Sequence, residues 1–213
     1  MLSLKGRLIL AAAVLCALPA QGANPTLSDD EVHVLTQVDA MPTREGLDEA
    51  FQPTGALARL PTIASDDAHD LGVQLRAIRA LPAYCPSAAG ACGPETPSHD
   101  VLVDLIARYR DATDAEQAPQ NTLRLRAAVE ALGATRSGLP EDVDLLLTLL
   151  GDGAKRVDGH PSLDVRAAAV AAVGELCNPD AKDVLFPYLF DPSPQVVAKV
   201  RDALRDLELC SLK

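Results

Sequence analysis

The sequence predicts an all-α protein built from repeated helix pairs. Three observations predict this fold class: a short pattern of apolar residues and alanine recurs at four places, a second apolar helical pattern follows each of the first three copies, and helix-capping residues stand at the junctions. The chain of 213 residues is long enough for one domain with a continuous buried core.

The first pattern places apolar and small residues on one face of a helix. Its copies read VQLRAIRAL from Val73, RLRAAVEAL from Arg124, VRAAAVAAV from Val165 and VVAKVRDAL from Val196, and their starts lie 51, 41 and 31 residues apart. In the last two copies the apolar positions correspond one to one, with Val165, Ala169, Ala172, Val173 and Leu176 matching Val196, Val200, Ala203, Leu204 and Leu207. The alanines let a neighbouring helix approach toward the lower end of the interaxial range of about 8–10 Å.

The second pattern supplies the partner helices. It reads HDVLVDLIARY at 99–109, PEDVDLLLTLL at 140–150 and NPDAKDVLFPYLF at 178–190. Asn178-Pro179 and Ser193-Pro194 each place a capping side chain before a proline at the first helical position, where the missing N–H has no cost. We expect three further helices to begin after a capping residue, namely Ser98, Asn121 and Ser162.

The sequence predicts an irregular helical segment at 24–69, followed by a repeat domain at 70–213. Ser28-Asp-Asp-Glu31 fits a capping box before Val32, Leu35 and Val38. Short helices are expected at 43–51 and 55–64, although the residues VHVL at 32–35 also fit a strand.

The first 23 residues fit a secretory signal peptide. A basic start with Lys5 and Arg7 precedes an apolar run at 8–18 and a stretch of small residues, and cleavage after Ala20, Gly22 or Ala23 would leave 190 to 193 residues. The apolar run is shorter than the roughly 20 residues that span a bilayer, so a membrane anchor is the weaker interpretation. A lipid anchor on Cys16 would require a small preceding residue, where this chain has Leu15. We therefore expect a soluble periplasmic or secreted product.

The net charge excludes some partners. It is −11 for the whole chain and −13 without Lys5 and Arg7. A chain this acidic repels phosphate backbones, so nucleic acid and anionic membranes are poor partners and a basic protein is a suitable one.

Here the sequence resembles a known family. The unit DVRAAAVAAVGELCNPDAKDVLFPYLFDPSPQVV is similar to the short HEAT-type repeat that also occurs in bilin-lyase-like proteins, with its Val-Arg-x-x-Ala-x-x-Ala-Leu-Gly helix and an Asp-Pro between units. The resemblance covers 70–209, and the arginine of the repeat is Arg166, where other copies have Gln74, Leu125 and Val197. It implies an α-solenoid of stacked antiparallel helix pairs whose second helices line a concave surface that holds other proteins. Repeat physics points the same way, because one helix pair cannot bury its apolar face alone.

Four cysteines remain after the first segment, and an even number in an exported protein predicts two disulfides among three alternative pairings. Cys85 and Cys92 close the loop CPSAAGAC, which favours a disulfide over a metal site because the loop holds no histidine. By the 31-residue repeat, Cys177 corresponds to Glu208, so Cys210 lies two residues on, about 200° around its helix. Consecutive repeats touch through opposite faces, so Cys177 and Cys210 are expected to meet.

The candidate partner-binding residues are acidic and aromatic. The second helices carry Asp100, Asp104, Glu141, Asp144 and Asp183, which we expect to face a shallow acidic groove. Phe186, Tyr188 and Phe190 are three of the six aromatic residues in the chain. Packing against the last helix is the simpler interpretation of this cluster, and an exposed Phe186 acting as an anchor for a partner is the alternative.

The sequence predicts no catalytic activity, metal or cofactor. It contains no G-x-S-x-G, P-loop, dinucleotide or H-E-x-x-H pattern, and its four histidines are scattered, which favours solvated or capping roles. The loop at 151–162 holds Asp152, Asp158 and His160 but lacks the ligand order of an EF-hand. The expected function is an exported protein-binding scaffold. Two alternatives stay open, a bilin-lyase-like enzyme on the same scaffold and a structural protein without a specific ligand.

Overall fold

The computed structural model describes residues 26–37, 41–85, 92–112, 118–151 and 162–210. Over these ranges the chain is helical and contains no strand, which confirms the all-α class. The segment at 32–35 lies in a helix, so its interpretation as a strand is wrong. The predicted signal peptide and most of the loop at 151–162 lie outside the described residues. The helices are α1 (Asp29–Thr36), α2 (Arg44–Ala50), α3 (Ala56–Ser65), α4 (Leu71–Ala80), α5 (Pro97–Arg110), α6 (Ala118–Ala134), α7 (Pro140–Leu147), α8 (Leu163–Glu175), α9 (Ala181–Leu185) and α10 (Pro194–Cys210), with 3-10 turns at Leu81–Tyr84 and Phe186–Phe190.

Side-chain caps fix several helix starts. Ser28 and Glu31 form the predicted capping box of α1, and Ser162 caps α8 by accepting a hydrogen bond from the Val165 amide at 3.3 Å. The predicted caps at Ser98 and Asn121 are wrong, because both residues lie inside their helices. The predicted cap at Asn178 is wrong as well, because α9 begins at Ala181 and Asp180 takes the capping position. Pro97 takes the first position of α5, so that helix begins one residue before Ser98.

The four copies of the first pattern form the helices α4, α6, α8 and α10, and these contact one another in chain order. Each of them also packs on the helix that precedes it, so that α3, α5, α7 and α9 pack on α4, α6, α8 and α10. The matched apolar positions of α8 and α10 are buried except Leu204, which is partly buried. One hydrophobic core runs from Val34 in α1 to Leu207 in α10, so the N-terminal helices share the interior of the repeats.

Glycine sets the spacing between neighbouring helices of this row. A Cβ atom placed on Gly133 of α6 would lie 2.7 Å from the Cα atom of Ala172 in α8. A Cβ atom on Gly174 of α8 would lie at the same 2.7 Å from the Cα atom of Ala203 in α10. Gly133 and Gly174 are the residues that directly follow Ala-Leu and Ala-Val in their copies of the pattern. The two interfaces therefore repeat the same backbone approach.

The ends of these helices repeat as well. Three residues after each of these glycines the backbone turns into the left-handed region, with φ of 53° at Arg136 and 61° at Cys177. A left-handed residue at this place ends an α-helix by redirecting the chain. The side-chain Nδ2 of Asn178 then donates a hydrogen bond to the carbonyl of Gly138 at 2.9 Å, which ties one helix end to the one before it.

At the position that holds Arg166 in α8, different side chains bind the end of the preceding helix. The guanidinium Nε of Arg166 donates to the carbonyl of Leu150 at 3.0 Å, just past the end of α7. Gln74 occupies the same position in α4, and its Nε2 donates to the carbonyl of Ala64 at 3.0 Å, near the end of α3. Both side chains satisfy carbonyls at a helix end that lack a partner within the helix.

Replacing Gly174 by alanine should destabilise the protein by about 1–3 kcal/mol, because the new methyl group meets backbone atoms of α10 that must move away. Urea denaturation measures the change in the free energy of unfolding. Gly46→Ala is the matched control, since its Cβ atom would meet only the Thr43 hydroxyl at 3.5 Å and alanine favours a helix. An unchanged or raised stability of Gly174→Ala would contradict the close approach.

Candidate functional site

A buried polar network joins α4, α5 and α6. The guanidinium of Arg124, which is 2 % exposed, donates to Oε1 of Gln74 at 2.6 Å and to Oδ1 of Asn121 at 3.1 Å. It also stacks over the ring of Tyr109, with 5.7 Å between Cζ and the ring centroid. The Tyr109 hydroxyl donates to Oδ1 of Asp67 at 2.7 Å. The buried charge of Arg124 is thus compensated by hydrogen bonds and a nearby carboxylate.

This network shifts the pKa values of its members. Burial acts to raise the pKa of Asp67, but hydrogen bonds from Tyr109 and Gln74 and the charges of Arg108 and Arg124 outweigh it and lower that pKa. Burial and the hydrogen bond to Asp67 raise the pKa of Tyr109 to about 12. Asp67 is therefore ionised and Tyr109 neutral at physiological pH. The hydrogen bonds and charges of this cluster connect α4, α5 and α6.

A second buried cluster links α5 to α7. Nε2 of His99 lies 3.0 Å and 3.1 Å from the two carboxylate oxygens of Asp142, and the Ser137 hydroxyl donates to the same carboxylate. All three residues are buried. The hydrogen bond to Asp142 raises the pKa of His99 although burial opposes the charged form. The expectation of a solvated or capping histidine is wrong for His99, because Asp142 provides a buried partner for its charge.

The serine of this cluster is hydrogen-bonded to the carboxylate of Asp142. Ser137 donates to Asp142 and makes no hydrogen bond to His99 among the contacts of the described residues, so the serine hydroxyl is not aligned with a base as a nucleophile requires. Across the described ranges, no three His, Cys, Asp or Glu side chains are grouped so that they could hold a metal ion. Asp152, Asp158 and His160 of the predicted loop lie outside those ranges.

The predicted carboxylates sit on three separate helices. Asp100 and Asp104 are on α5, Glu141 and Asp144 on α7, and Asp183 on α9, and all five are exposed. Asp100 also lies against a partner, since its Oδ1 is 3.3 Å from Nδ1 of His99. The other four are exposed acidic positions on the helices that precede the row of α6, α8 and α10.

The aromatic cluster is largely exposed. Phe186 is 56 % and Phe190 is 88 % exposed, whereas Tyr188 packs against the core. The simpler interpretation, packing of all three against the last helix, is therefore wrong for both phenylalanines. The chain has three phenylalanines, and the third, Phe51, is 1 % exposed.

Two cavities lie along the row of helices. The first, of about 510 Å³, has the alanines Ala167, Ala168 and Ala171 of α8 on one side, with charged residues of α6 and α10 around them. The second, of about 610 Å³, is formed at the C-terminal ends of α6, α8 and α10, and we call it the terminal cavity. Glu175 lines both cavities, so they adjoin at this residue. The sequence predicts a groove on the intervening helices, and its acidic residues do not line these two cavities.

The cysteines lie in the two pairs that the sequence favours. Cys85 and Cys92 have their Cα atoms 5.0 Å apart, and Cys177 and Cys210 have theirs 5.5 Å apart, both within the usual range for a disulfide. The first pair closes a local loop, and the second joins the end of α8 to the end of α10. The row of helices is thus covalently joined at its C-terminal side.

No protein-family model matches this chain, and no curated protein matches it. None of the helices that the structure describes is long and apolar enough to cross a membrane. The buried clusters, the exposed phenylalanines and the cavities are therefore the features that bear on function.

Sequence reasoning missed the two buried clusters. Asp67, Arg124 and Asp142 carry no motif, and their partners come from helices up to 50 residues away, as for Arg124 and Gln74. One signal was present in the sequence, namely a glutamine at the arginine position of the first copy. A polar residue there must reach a partner if the position faces inward.

Removing each disulfide should lower stability according to the loop it closes. Cys177 and Cys210 are 33 residues apart and Cys85 and Cys92 are 7 apart. Loop-closure entropy then predicts losses of about 4 and about 2 kcal/mol for the two Cys→Ser double variants. Urea denaturation under non-reducing conditions measures both, and an equal or larger loss for the 85–92 variant would contradict the pairing.

Asp142→Asn should destabilise the protein by about 1–3 kcal/mol, because it removes the carboxylate that stabilises protonated His99 and accepts the Ser137 hydrogen bond. The pKa of His99 is raised on folding, so its contribution is fully present below its unfolded pKa of about 6.5 and is lost as pH rises through the higher folded value. Unfolding measured from pH 5 to 9 should show that loss in the natural protein and lack it in the variant. The control is Asp100→Asn, which removes the exposed partner of the same ring. Equal effects of the two variants would refute the role of Asp142.

Proposed function

We propose that this chain is an exported α-solenoid of HEAT-like repeats that binds other proteins and catalyses no reaction. The solenoid arrangement is supported by the contacts of α4, α6, α8 and α10 in chain order and by the repeated glycine approach at Gly133 and Gly174. A shared core along stacked units is the feature that makes such repeats stable, because each unit buries its apolar face only against its neighbours.

Export is supported by two independent features. The first 23 residues have the three-part pattern of a signal peptide. Two cysteine pairs lie at disulfide distance, as expected of a protein that folds in an oxidising compartment such as a periplasm.

Protein binding rests on one observation above all, the exposure of Phe186 and Phe190. Burial of a phenylalanine side chain stabilises by about 1.5–3 kcal/mol, so leaving two of three phenylalanines in water forgoes that gain in the isolated chain. Large exposed apolar groups mark interaction sites, and aromatic residues often act as their anchors. The neighbouring Asp183 and the net charge of the chain favour a partner with a basic surface.

Phe186→Ala should reduce partner recovery at least tenfold, as expected when an interface loses an anchor of about 2 kcal/mol. The measurement is cross-linking of a tagged form of the exported chain in its native compartment, followed by quantification of co-purified proteins. Leu123→Ala is the matched control, because Leu123 is an apolar residue on α6 that is 45 % exposed. Equal recovery with Phe186→Ala and the natural protein would refute Phe186 as an anchor, and no recovery above background would refute the scaffold.

A further inference from the structure

The terminal cavity combines an apolar wall with unpaired carboxylates. Its apolar part comes from Leu209, which is 55 % exposed, and from the Cys177–Cys210 pair. Its volume of about 610 Å³ lies within the range of about 300–1,000 Å³ that is typical of ligand sites. The terminal cavity is therefore large enough for a small ligand group and has one apolar wall.

The charged part of the cavity has an excess of acid. Glu175, Asp206 and Arg136 line it, so its wall carries two negative charges and one positive charge. Within the part of the chain that the structure describes, no lysine or arginine forms an ion pair with Glu175 or Asp206. Partial burial and the charge of Asp206 raise the pKa of Glu175, and the charges of Arg136 and Lys199 oppose this shift without cancelling it. The two carboxylates thus face a common space and repel each other there.

A group that fits this arrangement has an apolar stem and a compact positive charge. A lysine side chain has this form, since its four methylene groups cover apolar surface while its ammonium group stays at a polar position. Arginine is less suitable, because its planar fork matches one bidentate carboxylate, and here the carboxylates come from two different helices.

We propose that the terminal cavity binds a lysine side chain presented by a partner protein, with the ammonium group near Glu175 and Asp206 and the stem along Leu209 and the disulfide. Two features support this assignment: the carboxylates complement the charge of an ammonium group, and the apolar wall complements its methylene stem. This site lies on α6, α8 and α10 and does not rest on the exposed phenylalanines, so it would be a second contact surface of the chain.

The test uses Nα-acetyl-lysine amide as the probe and the ¹⁵N-labelled exported chain with both disulfides formed. NMR titration should show saturable shifts of the Gly174, Leu209 and Cys210 amides and a lower pKa of the Glu175 carboxyl in the presence of the probe. The Nε-acetylated probe keeps the stem and removes the charge, so it should bind at least tenfold more weakly. Equal binding of the two probes would overturn the proposal.

Variants locate the effect. The double variant Glu175→Gln with Asp206→Asn should weaken binding of the lysine probe at least tenfold, and Asp202→Asn should change it less than twofold, since Asp202 lies on α10 outside the cavity. All three side chains are exposed or at the cavity wall, so these variants should fold. Undiminished binding by the double variant would also overturn the proposal.

Two further outcomes separate the alternatives. Phe186→Ala should leave binding of the lysine probe unchanged, so failure of the phenylalanine surface and failure of this cavity are distinguishable. Sedimentation of the chain alone should show a monomer. A dimer that the double variant dissociates would overturn the proposal in favour of a lysine from a second copy.

Discussion

The close approach of backbones at Gly133 and Gly174 is the constraint on which the rest of this structure depends. Each glycine allows the next helix of the row to come near enough that a methyl group would meet its Cα atom at 2.7 Å. A methyl group would not fit there, so the small residues that meet at these positions set the separation of the two helices. Beside these contacts Ala169 and Ala172 of α8 are buried.

The same constraint positions the two surfaces that we propose as partner contacts. With α6, α8 and α10 held in register, their C-terminal ends come together and enclose the terminal cavity beside the Cys177–Cys210 pair. The preceding helices are held at their ends by Gln74 and Arg166, which donate hydrogen bonds to backbone carbonyls. The segment at 181–190 packs on α10 through Tyr188 and its neighbours and leaves Phe186 and Phe190 outside. Two surfaces of different chemistry result, one aromatic and one acidic with an apolar wall.

The sequence predicted the helices well and the side-chain partnerships poorly, for a physical reason. Helices α1 and α8 follow from local signals, the Ser28 capping box and the Ser162 cap, that act within one turn. The cysteine pairing followed from the repeat, which converts sequence position into angle around a helix. His99 could not be predicted as buried, since its partner Asp142 is 43 residues away and no periodicity connects them. Phe186 and Phe190 lie in a segment whose turn is a 3-10 helix, and this change of period defeats an assignment of faces that assumes an α-helix.

Consecutive copies of the pattern meet backbone to backbone through glycine and alanine at Gly133 and Gly174. Nuclear Overhauser spectroscopy of the labelled protein tests this most directly, because α-protons give cross-peaks only when they are close in space. Because the backbones approach closely, strong cross-peaks are expected between the α-protons of Gly174 and Ala203 and between those of Gly133 and Ala172. Absence of both cross-peaks in the folded protein, with the α-protons assigned, would contradict the stacking and every surface derived from it.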